Sequence, residues 1–320
     1  MEKILITGGS GFIGTNLIAY LLIKNTYCLL NLDREMPKIT EHQSIWKQVD
    51  LCDKDALKKI VIDFSPEYVI HLAARTDLRG KELKDYDTNM LGVSNLLDVL
   101  ELIPNLKRVI FASSMYVCIP GYMPKSFEDY APHTLYGESK VETEKRIKTK
   151  NPKYNWSIIR PTSIWGPWFG EPYDKFFRIV LNRMYFHMGK RACEKTYGYI
   201  DNAIYQILSI LKAPKEKVMR KVFYLGDYEA YDITEWANEI ATCIGIKIPR
   251  IPYFLFVLAG WLGDILKLFG ITFPMTSFRL KNMTTDNVHN LELIREIAPE
   301  LPTSRQEGNK KTIEWINSQK

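Results

Sequence analysis

Five short, continuously apolar runs recur through the first half of the chain: KILIT (3–7), YCLLNL (27–32), YVIHLA (68–73), RVIFASS (108–114) and WSIIRP (156–161). A strand that is apolar on both faces has to be covered on both faces, which is the condition of a buried parallel sheet. Between the runs lie FIGTNLIAYLLIK, KDALKKIVIDF, NMLGVSNLLDVLEL and a segment carrying YGESKVETEKRIK, all with helical spacing. Strands alternating with helices predict right-handed βαβ units and an α/β, doubly wound parallel sheet. After Pro161 the rhythm breaks. RPTSIWGPWFGEP (160–172) is dense in Pro, Gly and Trp and reads as a loop over a site. KVFYLG (221–226) reads as a returning strand, and ITEWANEIATCIG (233–245) as a helix stopped by Gly245. The expected division is therefore 1–165, with later elements near 197–226 returning to it, and 166–320 as a smaller, mixed C-terminal domain.

KILITGGSGFIG (3–14) is a strand that runs into a glycine-rich turn and then a helix. Gly8 permits the tight turn, Gly11 lets the backbone approach a pyrophosphate, and Gly14 lets helix and strand pack closely. A helix beginning near Phe12 offers free N–H groups and a positive dipole end to the phosphates. The second strand ends in Asp33, nineteen residues after Gly14. A carboxylate there can bind both hydroxyls of an adenosine ribose and repels a 2′-phosphate, favouring NAD over NADP. Arg34, next in sequence, is a guanidinium that can accept a 2′-phosphate, so NADP stays open. The arrangement is Rossmann-like.

Composition narrows the partners. The 320 residues are 46% hydrophobic and 25% charged, with a net charge of +6, as expected for a globular protein with a sizeable core. The positive surplus is scattered rather than run together, which argues against nucleic acid and suits an anionic small ligand. The five cysteines (28, 52, 118, 193 and 243) are odd in number and dispersed, the pattern of reduced thiols in a cytosol. Neither they nor the five histidines have metal-ligand spacing, so no metal is expected. The N-terminus lacks a signal-peptide layout. The most hydrophobic stretch, IPYFLFVLAGWLGDILKLFGITF (251–273), is interrupted by Gly260, Gly263, Asp264 and Lys267. It is expected to form amphipathic helices packed in the C-terminal domain rather than a transmembrane segment, with contact to a membrane surface as the alternative.

The chemistry centres on HTLYGESK (133–140), where Tyr136 and Lys140 are i and i+4 and share one helix face. A free tyrosine has a pKa near 10, too high for a base at neutral pH. A neighbouring ammonium and the positive nicotinamide of an oxidised cofactor favour the phenolate. Tyr136 can then take the proton of a substrate alcohol while hydride leaves the same carbon. Ser114, at the end of a preceding strand, can hydrogen-bond the developing alkoxide or carbonyl.

These residues together resemble the extended short-chain dehydrogenase/reductase family of nucleotide-sugar epimerases, dehydratases and reductases. The resemblance covers nearly the whole chain: TGGSGFIG, DLCD (50–53), HLAA (71–74), NMLGVSNLLD, FASS, YGESK, RPTSIWGP, YGYIDN (197–202) and LPTSRQEGNKKTIEW (301–315). It implies a catalytic Ser114, Tyr136 and Lys140, and usually a homodimer. Implied cofactor contacts, beyond Gly8, Gly11, Gly14, Asp33 and Arg34, are Phe12, Ile13, Asp50, Leu51, Leu72, Ala73, Ala74 and Pro161, together with Tyr136 and Lys140. Implied substrate contacts, besides Ser114, are Thr76, Met115, Tyr116, Ser163, Lys195 and Tyr197; Arg279 is a further candidate for a phosphate.

Departures from the family pattern bear on the reaction. The 4,6-dehydratases carry Asp-Glu directly after the catalytic Ser or Thr, whereas Met115 and Tyr116 stand here, which argues against dehydration. VCI (117–119) replaces the usual VYG, so Cys118 and Ile119 are expected to reshape the pocket wall. Ser163 and Lys195 stand where many epimerases have Asn and Arg. The leading expectation is an NAD-dependent, cytoplasmic enzyme that oxidises a nucleotide sugar at C4 and returns hydride to the opposite face. A one-way reductase or dehydrogenase, acting on a sugar or a non-sugar carbonyl, is the alternative. A non-catalytic cofactor sensor is disfavoured by the intact Ser114, Tyr136 and Lys140.

Overall fold

The computed structural model describes residues 1–170, 173–189, 192–271 and 273–319. Its centre is a seven-stranded parallel sheet. In chain order the strands are β1 (Glu2–Thr7), β2 (Tyr27–Asp33), β3 (Trp46–Gln48), β4 (Tyr68–His71), β5 (Arg108–Ala112), β6 (Asn155–Pro161) and the returning strand Val222–Leu225. Across the sheet they run Val222–Leu225, β6, β5, β4, β1, β2, β3. The order reverses between β1 and β4, and Thr7 is in register with both Leu32 and His71. Such a switch point leaves a crevice outside the carboxyl ends of the strands, where open α/β sheets bind ligands.

Period-two alternation puts Leu5 of β1 into one core layer and Ile4 and Ile6 into the other. Helix α1 (Phe12–Lys24) contributes Leu17, Ile18 and Leu21 to the Ile4 side. Helices α2 (Lys54–Phe64) and α3 (Asp87–Leu100) contribute Leu57, Val61, Val93 and Leu96 to the Leu5 side. Both faces are covered, which is why the strand sequences are apolar throughout. Helix α4 (Leu135–Lys150) starts at Thr134, whose hydroxyl accepts the Gly137 N–H at 3.0 Å.

The stretch 160–172 departs from the expected loop. Pro161 ends β6, and Ser163–Trp165 pairs in parallel with Tyr197–Tyr199. Trp165 is buried among Phe177, Tyr199, Tyr231 and Trp236, and that packing rather than turn chemistry sets its backbone. Glu171 and Pro172, at the end of the stretch, lie outside the described residues.

Residues 251–273, of which Thr272 is outside the described set, also differ from expectation. The helix Tyr253–Leu268 buries only Gly260 and Gly263, against the start of the helix Ser277–Thr284 and Met275 before it, and leaves most of its large apolar side chains exposed. Glycine is the reason. A Cβ on Gly263 would sit 1.8 Å from the Met275 carbonyl oxygen, so the small-residue face is the one that packs.

Candidate active site

A cleft of about 430 Å³ opens at the switch point. Its floor is the glycine turn. Gly8 has φ +75°, and a Cβ there would lie 2.4 Å from the Ala73 N. Only glycine lets the turn pass this close to the end of β4. A Cβ on Gly14 would meet the Gly8 carbonyl oxygen at 2.4 Å. Gly11 caps α1 without a side-chain hydrogen bond, and the first turn of α1 has no acidic residue. Gly11, Phe12, Ile13 and Gly14 line the cleft, so the unsatisfied N–H groups of that turn suit a diphosphate.

Asp33 closes one end. Its Oδ2 accepts the Ser10 N–H at 2.9 Å and its Oδ1 the Glu35 N–H at 3.0 Å, tying β2 to the glycine turn. Each oxygen keeps a lone pair for a ribose hydroxyl. Arg34 lines the same end and pairs with Asp50 at 3.7 Å. Leu51, Leu72, Ala73, Ala74, Thr76 and Pro161 also lie on the wall. Asp50 does not. Its Oδ1 is turned back to accept the Cys52 N–H at 2.9 Å, a local turn contact that the DLCD pattern does not reveal.

The other end gathers the catalytic candidates. Ser114 lies just past β5 as the cap of a short 3-10 turn, Met115–Val117. Its Oγ accepts the Tyr116 N–H at 3.1 Å, leaving its own proton to donate, and it shares the cleft wall with Tyr136. Tyr136 and Lys140 project from α4 into the cleft wall, beside Met115 and Tyr116. Lys140 is fully enclosed, and its Nζ donates to the Ala112 carbonyl at 2.8 Å. Burial lowers its pKa to about 8, partly opposed by the Glu144 carboxylate one turn further on. Tyr136 moves the other way. Burial raises its phenol to about 12, with the Ser114 hydroxyl pulling down and Tyr116 and Tyr86 adding to the rise. The lowering expected from the sequence is therefore absent from the protein alone, because desolvation outweighs every polar neighbour.

Four expected substrate contacts do not line the cleft. Ser163 is engaged in pairing with Tyr197, and its neighbours Thr162 and Ile164 face the cleft instead. Tyr197 packs on Tyr231 and Trp236. Lys195 donates to the Asn282 carbonyl at 2.7 Å, and burial lowers its pKa. Arg279 is exposed and donates to the Pro274 carbonyl at 2.9 Å. Cys118 is buried against Val117 and Val141 rather than on the pocket wall, and Ile119 is exposed. For Lys195, Tyr197 and Arg279 a backbone or packing partner claims the side chain that motif position alone assigns to a ligand.

Conversely, Ser10, Val49, Thr88 and Ser113 line the cleft without having been singled out. Asn89 stands behind it. Its Oδ1 accepts the Arg75 N–H at 2.8 Å and its Nδ2 donates to Ser139 Oγ at 2.9 Å, so α3 holds the loop after β4 against α4. The signal was the leading Asn of NMLGVSNLLD, which stood in the sequence without a role. Glu144 and Arg160 form a fully buried ion pair at 2.8 Å beneath the site. Glu144 also accepts from Ser113 Oγ at 2.6 Å and Tyr130 OH at 2.9 Å. Its spacing, i+4 from Lys140 on the same helix face, was the available clue.

A doubly wound sheet whose glycine turn shares one cleft with a serine, a tyrosine and a lysine defines an NAD-dependent enzyme of the short-chain dehydrogenase/reductase type. The sequence model of the NAD dependent epimerase/dehydratase family matches residues 4–226, and the chain belongs to that family. It is 24% identical over 98% of its length to an Escherichia coli O157:H7 N-acetyl-alpha-D-glucosaminyl-diphospho-ditrans,octacis-undecaprenol 4-epimerase, covering 95% of that protein. A UDP-glucose 4-epimerase of Vibrio cholerae is 25% identical over the same shares, 98% and 95%. The fold is similar to that of the Bacillus cereus UDP-glucuronic acid 4-epimerase solved with UDP-glucuronic acid and NAD. The TM-score is 0.76 at 20% identity, covering 99% of this chain and 100% of that one.

Proposed function

We propose that this protein is a 4-epimerase of a nucleotide sugar, with Ser114, Tyr136 and Lys140 as its catalytic set and residues 166–320 as a mainly substrate-binding domain beside the cleft, whose lining comes from residues 8–164. The observation that carries the reading is the convergence of these three side chains on one wall, at the opposite end of the cleft from Asp33. The E. coli and V. cholerae relatives, both named as 4-epimerases and matched over almost their full length, support it.

NAD, when bound, supplies a hydride acceptor and a positive charge near the phenol. The protein's own residues handle the proton and the orientation. Ser114 donates to the substrate oxygen. Tyr136 exchanges the proton of the C4 hydroxyl. Lys140, held on the Ala112 carbonyl, places an ammonium beneath the site, and its depressed pKa means that this charge is lost above about pH 8. Thr76, Met115 and Tyr116 bound the sugar pocket, where the absence of an Asp-Glu pair after Ser114 removes the acid and base for eliminating water. A homodimer in the cytoplasm belongs to the same proposal. The odd, dispersed cysteines support the compartment, and light scattering at micromolar concentration tests the dimer.

The test follows bound NAD near 340 nm when UDP-sugars, GDP-sugars or dTDP-sugars are added, with the product identified by its C4 configuration. Tyr136→Phe keeps the ring and removes the hydroxyl, and should lower kcat by about two to four orders of magnitude. Adding Lys140→Met should make it little worse, since groups acting as a unit are non-additive. If Tyr136→Phe turns over as fast as the unmodified chain, the assignment fails. Rapid exchange with free NADH and a single reduced product would favour the one-way oxidoreductase.

A further inference from the structure

The helix Tyr253–Leu268 is built inside out. A surface helix normally turns its apolar stripe to the core. Here Phe254, Leu258, Trp261, Ile265 and Leu268, spaced i, i+4, i+7, i+11 and i+14, all face solvent, with Trp261 59% and Leu268 84% exposed. Leu255, Leu262 and Phe269 extend the row on one side, and all three are exposed. At 3.6 residues per turn this is a continuous apolar band roughly 140° wide. The opposite face carries Gly260 and Gly263 and is the one that packs, onto the helix Ser277–Thr284. Asp264, the lone acid between residues 244 and 285, is turned inward to accept the Ser277 N–H at 3.2 Å. The five cations of that segment, Lys247, Arg250, Lys267, Arg279 and Lys281, are all exposed.

We propose that this helical hairpin docks the protein on an anionic lipid bilayer, with the Phe254–Leu268 stripe in the acyl boundary and the flanking lysines and arginines on the headgroups. Sixteen residues make a helix of about 24 Å, short of the roughly 20 residues needed to span. No helix among the described residues is long and apolar enough to cross a membrane. A helix with a wide apolar face, aromatic rings and basic flanks is the form that lies in the interface plane. Charge selects the occupant. A second copy of the chain would bring the same five cations against each other, whereas anionic headgroups neutralise them. The segment just after the hairpin reaches the cleft wall, where Asn287 Nδ2 lies 3.8 Å from the Met115 sulfur.

The experiment uses the full chain and does not depend on turnover. The unmodified protein should float with vesicles of equal parts phosphatidylglycerol and phosphatidylcholine, and less with phosphatidylcholine alone or at high salt. Trp261→Glu with Ile265→Glu should cut flotation by on the order of tenfold or more, while retained NAD binding shows the fold intact. In the unmodified chain, brominated lipid should quench a share of the tryptophan emission that Trp261→Phe removes. No flotation with either vesicle, or flotation and quenching untouched by the substitutions, overturns the proposal. So does a protein that ignores vesicles but whose dimer or larger assembly dissociates on the double substitution, since a second copy would then be what covers the stripe.

Discussion

His71 ends β4 directly under the cleft, with Nδ1 2.7 Å from the Thr7 hydroxyl and Nε2 buried without a partner. Burial, with the Lys140 charge adding, lowers its pKa to about 3. The unfolded chain takes up this proton near pH 6.5 and the folded chain near 3, so between those values the unfolded state binds more protons. Stability is therefore lost as pH falls through that window. From pH 7 to pH 5 the expected loss from this residue is about 2 kcal/mol. Urea unfolding at the two pH values checks it, since His71→Phe should shrink the pH dependence by that amount whatever it does to stability at pH 7. An unchanged difference would show that His71 titrates normally. The same desolvation explains the inverted expectation at Tyr136. The i, i+4 spacing told which groups share a face, but the sign of a pKa shift depends on how much water the fold removes, and no spacing contains that.

Helix α4 carries chemistry on one end of its buried face and structure on the other. Tyr136 and Lys140 reach the cleft, and Glu144, the next position on that face, accepts from Arg160 Nε at 2.8 Å and Nη2 at 2.9 Å. Arg160 in turn donates to the Phe127 carbonyl and Tyr224 OH, so the pair locks α4 to β6. Both side chains are fully buried. Breaking such a pair leaves an uncompensated charge, so Glu144→Gln should cost about 3–5 kcal/mol, read as a lower urea midpoint. Removing both charges, as Glu144→Met with Arg160→Met, should cost clearly less than that single change. If the double variant is the weaker one, the network contributes through its hydrogen bonds to Ser113 and Tyr130 rather than through charge pairing. The glycine turn was legible at this scale because its requirements are local: a left-handed φ at Gly8 and no Cβ at Gly14 follow from backbone sterics within a dozen residues.

At the scale of the molecule, one cleft of about 430 Å³ joins the Asp33 end to the Tyr136 end. If the second end takes a nucleoside diphosphate, then UDP, GDP or dTDP should protect the NAD-loaded protein against heat. The expected gain is about 2.7 kcal/mol at a hundredfold excess over Kd. The protection should weaken with salt, as befits an anion. A thermal shift with an uncharged steroid or alcohol and none with any diphosphate would move the substrate to the non-sugar class. The parallel sheet, the glycine turn and the shared helix face of Tyr136 and Lys140 were determined by the sequence alone, because apolar periodicity, glycine sterics and helix spacing act over short stretches. The tertiary structure alone decided which polar side chains reach the cleft. Ser163, Lys195, Tyr197 and Arg279 are drawn to partners 5 to 87 residues distant in the chain, while Thr162, Thr88 and Ser113 take the wall. It also decided the orientation of Tyr253–Leu268. The sequence shows an apolar helix with two glycines, but only the packing of the glycine face at Met275 and Ser277 turns the apolar one outward.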